Sequence, residues 1–134
     1  MLANGAAVAA WSRRQNATTV ATMEAEAYAA MLAVRIVLAV RRTSEFMLSY
    51  KLPPTIIYED NESLITALKT RDLSARTRHT RVNLGFIMDA VDAEEVVFEF
   101  VTSGDQVADA ATQAEDPTRF IRNRGRMLGN TDIA

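Results

Sequence analysis

Residues 22–49 constrain this chain more than any other stretch. They hold neither glycine nor proline and are dense in Ala, Met, Leu, Glu and Arg, all good helix formers. At about 1.5 Å per residue such a helix extends roughly 40 Å, the width of a small domain, so it must lie against most of the core. Ala29, Ala30, Ala33, Val37 and Val40, widened by Met31, Val34, Ile36 and Leu38, predict a broad buried face whose small residues permit close packing on a sheet. Arg35, Arg41, Arg42 and Glu45 are expected on the wetter side. Thr22 is the expected N-cap, and Glu24 and Glu26, expected in the first turn, suit the positive end of the helix dipole.

Before this helix, Ala7 to Trp11 reads as a strand, Ser12 to Ala17 as a polar turn, and Thr18 to Val20 as an extended lead. A strand so close to Met1 suggests that part of a sheet lies upstream. After the helix, Pro53-Pro54 removes two backbone donors and stops regular structure. Thr55 to Glu59 then reads as a short buried strand ending in Asp60-Asn61, where Asp60 is placed to cap a helix from Glu62 to Lys69. The range 71–81 reads as a polar basic loop, followed by a helix carrying Val82, Leu84, Phe86, Ile87 and Val91 and weakened by Gly85. Glu95 to Val101 is the clearest strand, with Val96, Phe98 and Phe100 on one face. A short helix from Gln106 to Thr112 and a basic amphipathic helix from about Thr118 to Leu128, opened by Pro117 and ended by Gly129, complete the chain. The order predicts an α/β fold in one domain, residues 1–112, with a helical tail at 113–134.

The chain has no cysteine and one histidine, which excludes disulfides, thiolate metal sites and multi-histidine sites. Arg35 and Arg41 interrupt the longest apolar stretches short of a membrane span, and no signal peptide pattern is visible, so the expected location is intracellular, cytoplasmic or nuclear, not secreted. A net charge of −2 gives no bulk attraction to nucleic acid, but basic residues collect at 13–14, 76–81 and 119–126.

Three acids stand out by position: Glu26 near the start of the long helix, Asp60 at a strand end, and Asp109 after the last strand. In α/β sheets ligands gather beyond the carboxyl ends of strands. Convergent carboxylates without Cys or a His cluster make a hard-oxygen environment that suits Mg²⁺ or Mn²⁺, and two such ions can activate water and stabilise the leaving oxygen of a phosphodiester. With 17 acids in the chain, position alone leaves open whether these are ligands, caps or solvated charges.

Five blocks in order narrow the choice. They are Ala10-Trp11-Ser12-Arg13-Arg14-Gln15, Met23-Glu24-Ala25-Glu26-Ala27-Tyr28, Tyr58-Glu59-Asp60-Asn61, Arg76-Thr77-Arg78-His79-Thr80-Arg81, and Asp105-Gln106-Val107-Ala108-Asp109-Ala110-Ala111-Thr112. Together they resemble the ribonuclease H domain of copia-type retrotransposon polyproteins, whose pattern runs W-S-K-K-Q, E-A-E-Y, D-N, R-T-K-H-I and Q-x-A-D-x-x-T. The resemblance implies a ribonuclease H-like mixed sheet flanked by helices, with its N-terminal strand incomplete. It implies cleavage of the RNA strand of an RNA–DNA hybrid with two Mg²⁺ (or Mn²⁺) ions, Glu26, Asp60 and Asp109 serving as catalytic metal ligands. It further implies phosphate contacts from Arg76, Arg78, His79 and Arg81, with the hybrid read by backbone and 2′-hydroxyl, and an upstream reverse transcriptase as partner.

The departures are specific. Ala27 intervenes before Tyr28, Arg78 replaces a Lys, and Gln113 stands where a Lys is usual. Family members also carry a catalytic Asp on the first strand, upstream of the W-S-K-K-Q block, whereas no acid precedes Glu24 here. Two cations lacking that bridging carboxylate would be under-neutralised and weakly held, so the chain is expected to cleave slowly or not at all. The rival reading is a non-catalytic remnant or scaffold of the same fold that binds nucleic acid or protein. An integrase-like branch, with its acids in a different order and spacing, fits the five blocks less well.

Overall fold

A computed structural model describes residues 2–3, 6–7, 22–73, 76–102 and 116–127. The chain forms two compact units, residues 18–101 and residues 1–17 with 102–134. The larger unit is mixed α/β and holds α1 (Thr22–Leu48), β3 (Thr55–Glu59), α2 (Glu62–Thr70), α3 (Arg78–Asp92) and β4 (Val96–Phe100). The smaller contains a two-residue antiparallel pair, β1 (Leu2–Ala3) with β2 (Ala6–Ala7), and α4 (Pro117–Met127). The expected strand from Ala7 to Trp11 and helix from Gln106 to Thr112 fall mostly or wholly outside the described residues. Among the described residues no helix is long and apolar enough to cross a membrane.

Helix α1 is the spine, but its buried line is rotated from the expected stripe. Ala27, Ala30, Val34, Val37, Leu38 and Arg41 are buried, an unbroken i, i+3, i+4 series, while Ala29 and Val40 are exposed. Arg41, expected in water, continues this line. Its guanidinium donates to Glu45 Oε1 (3.0 Å), the Leu52 carbonyl (2.8 Å), Thr55 Oγ1 (3.0 Å) and the Pro53 carbonyl. Burial of the cation is tolerated because the Leu52 and Pro53 carbonyls supply acceptors. Glu45 Oε1 also receives the Leu52 N–H at 3.0 Å, so the end of α1 and the segment leading into β3 are tied together.

Strands β3 and β4 pair in parallel, in register from Thr55↔Val96 to Glu59↔Phe100, with α2 and α3 as the crossover that parallel strands require. Flanking bonds from Thr55 N to the Glu95 carbonyl and from Val101 N to the Glu59 carbonyl, both 3.0 Å, extend the ladder. β3 is not buried on both faces as its composition predicts. Ile57, Val96 and Phe98 meet the core, whereas Ile56, Tyr58 and Val97 face outward. The core itself is Leu64 and Ala67 of α2, Leu84, Ile87, Met88 and Ala90 of α3, the buried line of α1, and Val96. Full burial of a side chain such as Leu84 or Ile87 contributes about 1.5–3 kcal/mol.

The crossover helices begin on side-chain caps. Asn61, rather than Asp60, caps α2, its Oδ1 accepting the Leu64 N–H at 3.0 Å. Thr77 caps α3, which starts inside the stretch expected to be loop. Three helices are followed by a left-handed residue: Ser49 after α1, Arg71 at the C-cap of α2, and Glu94 just beyond α3. In the smaller unit Asp116 Oδ1 accepts the N–H groups of Thr118 and Arg119, and Pro117 occupies the first position of α4, where its missing donor costs nothing.

Candidate functional site

The carboxyl end of β3 is acidic because alternation along the strand places Glu59 on the same face as Ile57, while Asp60 and Asn61 turn the chain into α2. Glu26, at the start of the second turn of α1 rather than in its first, comes close enough to this strand end to interact electrostatically with both Glu59 and Asp60. Glu26 is held above the usual carboxylate range by partial burial and then by the charge on Asp60. Glu59 is pushed up to about 7, first by burial and then by the charges on Glu26 and Asp60, against the lowering effect of backbone N–H groups such as that of Asn61, 3.1 Å from its Oε1. Charge on any one of these groups disfavours charge on the others in a partly desolvated place, which favours a retained proton or a nearby cation.

Of the acids expected at the site, Glu26 and Asp60 lie within electrostatic range of each other, and Asp109 lies outside the described residues. Among the described residues no three His, Cys, Asp or Glu side chains form a group able to hold a metal ion between them. The donor chemistry at Glu26 and Asp60 is nevertheless the all-oxygen kind that Mg²⁺ and Mn²⁺ take. Glu59 is a further acid at this strand end, outside the three that position marks in the sequence. The signal was its place in the strand, since with Ile57 packed inward the residue two further on must share that face.

The basic residues occupy the entrance to α3. Arg76 is half-buried just before the cap, Arg78 and His79 are the first two helical residues, and Arg81 ends the first turn; the last three are exposed. No acid lies in that turn, so its charges oppose the helix dipole and favour an incoming anion. Thr77 Oγ1 donates to Glu24 Oε1 at 3.1 Å, which joins this entrance to the first turn of α1. Trp11 and the Arg13-Arg14 pair lie outside the described residues.

No model of a known protein family matches the chain, and no solved structure matches it.

Proposed function

We propose that this chain is most of a ribonuclease H-like domain of the copia-type retrotransposon kind, acting on RNA–DNA hybrids and impaired in hydrolysis. The observation that carries the reading is that Glu26 lies within electrostatic range of Asp60 at the carboxyl end of β3, supported by the order of the five sequence blocks and by a parallel strand pair joined through helices. Glu26 and Asp60, with Asp109, are the residues that would hold divalent ions. Mg²⁺ bound there supplies charge neutralisation and an acidified water for attack on a phosphodiester. The chain's own part is to hold Glu26 and Asp60 in a partly dry place and to offer Arg76, Arg78, His79 and Arg81 to the phosphate backbone. The 134 residues contain no acid before Glu24 to match the family's first-strand Asp, and for that reason ions are held weakly and cleavage is slow. The natural partner is a reverse transcriptase segment of the same polyprotein.

The test is Mg²⁺-dependent cleavage of a labelled RNA–DNA hybrid by the 134-residue chain, alone and with an Asp-bearing strand restored upstream. The expected result is hybrid binding with little or no cutting by the chain alone and a gain of cutting on restoration. Brisk cutting by the chain alone would overturn the impairment, and no gain on restoration would overturn the enzymatic lineage in favour of a non-catalytic scaffold.

A further inference from the structure

We infer that Glu24 is a positioning residue, clamping the basic entrance of α3 to the first turn of α1 so that Arg76, Arg78, His79 and Arg81 are presented to phosphate as one fixed edge. The inference rests on the nucleic-acid reading above and deepens it. The Thr77 hydroxyl is the centre of the clamp. It accepts the Thr80 N–H at 3.3 Å as the α3 cap, and it lies 2.9 Å from the Thr80 hydroxyl and 3.1 Å from Glu24 Oε1. A hydroxyl has one proton, and a carboxylate oxygen can only accept, so the Thr77 proton goes to Glu24 and the buried Thr80 hydroxyl donates to Thr77. The result is a one-way chain, Thr80 to Thr77 to Glu24, that fixes both rotors and ends on a residue 53 positions away. Among the described residues Glu24 thus bonds to Thr77 and to no arginine. Among the described residues the ion pairs are Arg41 with Glu45 and Arg71 with Asp92, which leaves Arg76, Arg78 and Arg81 available to an outside anion.

Glu24 and simple electrostatics make opposite forecasts. A carboxylate beside a phosphate-binding edge repels the ligand, so its removal should tighten binding if charge were all that mattered. If Glu24 positions the edge, removal loosens it.

The experiment measures affinity of the 134-residue chain for a fluorescent RNA–DNA hybrid by anisotropy across a salt series, with thermal melts in parallel. Glu24→Ala and Thr77→Val are expected to weaken binding by about three- to tenfold, the size of one lost charge-assisted bond. Glu24→Gln keeps an acceptor for Thr77 and is expected to bind at least as tightly as the unmodified chain, and Thr77→Ser is expected to bind equally. Glu24→Ala binding as tightly as the unmodified chain or tighter would overturn the positioning role alone. Glu24→Gln as weak as Glu24→Ala would also overturn it. Failure of the unmodified chain to bind the hybrid would overturn the nucleic-acid reading and the inference with it.

Discussion

At the scale of single residues, two groups sit where their type is costly, and one position holds a residue that nothing around it requires. Glu59 has a folded pKa of about 7 against 4.5 for the free side chain, so the folded protein retains a proton there that the unfolded chain releases between those values. Stability therefore falls as pH rises from about 4.5 to 7 and levels off above. In metal-free buffer the loss from this group is on the order of 1–2 kcal/mol once solvent screening is allowed for. Denaturant melts of Glu59→Gln, which keeps an acceptor for the Asn61 N–H, should show a flatter stability profile over that window and higher stability at pH 8. Arg41 is the opposite case, a buried cation that its partners demand. Arg41→Ala should cost about 2–4 kcal/mol in urea unfolding, and Arg41→Lys should recover only part, because an ammonium cannot span the carbonyl, hydroxyl and carboxylate that the planar guanidinium reaches. Gly85 is helical, and a methyl group built there meets nothing within 4 Å. Gly85→Ala should raise stability by about 0.5–1 kcal/mol, read as a higher denaturation midpoint with an unchanged slope.

At the scale of elements, the sequence was most legible where periodicity and punctuation agreed. The Thr22–Leu48 helix, the Thr55–Glu59 strand and the Val96–Phe100 strand lie within a residue of where composition and the paired prolines place them. What periodicity could not resolve was the angle of the α1 stripe. Ala30 and Val37 are buried as the stripe predicts, but Ala29 and Val40, equally apolar, are exposed, while Ala27 and Arg41, the latter bonded to the Leu52 carbonyl, complete the buried line. The caps show the same limit. Asp60 and Asn61 are both good N-caps, and Asn61 takes the role because its backbone is extended at φ −86° and ψ 100° as a cap requires. Asn61→Ala should then destabilise by about 1 kcal/mol, and Asp60→Ala should cost less in denaturant melts and should relieve the repulsion on Glu26 and Glu59. Helix α4 departs further from expectation. Its Asn123 and Gly125 are buried while Phe120 and Ile121 are each 46% exposed, the reverse of the usual partition for an amphipathic helix.

At the scale of the whole molecule, the larger unit brings Glu26 within electrostatic range of Asp60 although a long helix and a proline turn separate them in sequence. That placement follows from architecture: α1 is anchored at its far end through Arg41 and packs along α3, and β3 delivers its carboxyl end with Glu59 inward. The acidic strand end was therefore legible as two of its members and not as the third, because motif order selects Glu26 and Asp60, whereas Glu59 becomes visible only when the strand's inward face is known. The central claim is that Glu26 and Asp60 share divalent ions. The most direct measurement is a Mn²⁺ titration of the isotope-labelled chain followed by amide signals. Broadening is expected to begin at the signals around residue 26 and residues 59–61, and Glu26→Gln or Asp60→Asn is expected to abolish it. Broadening that starts elsewhere, or that persists in both variants, would contradict it.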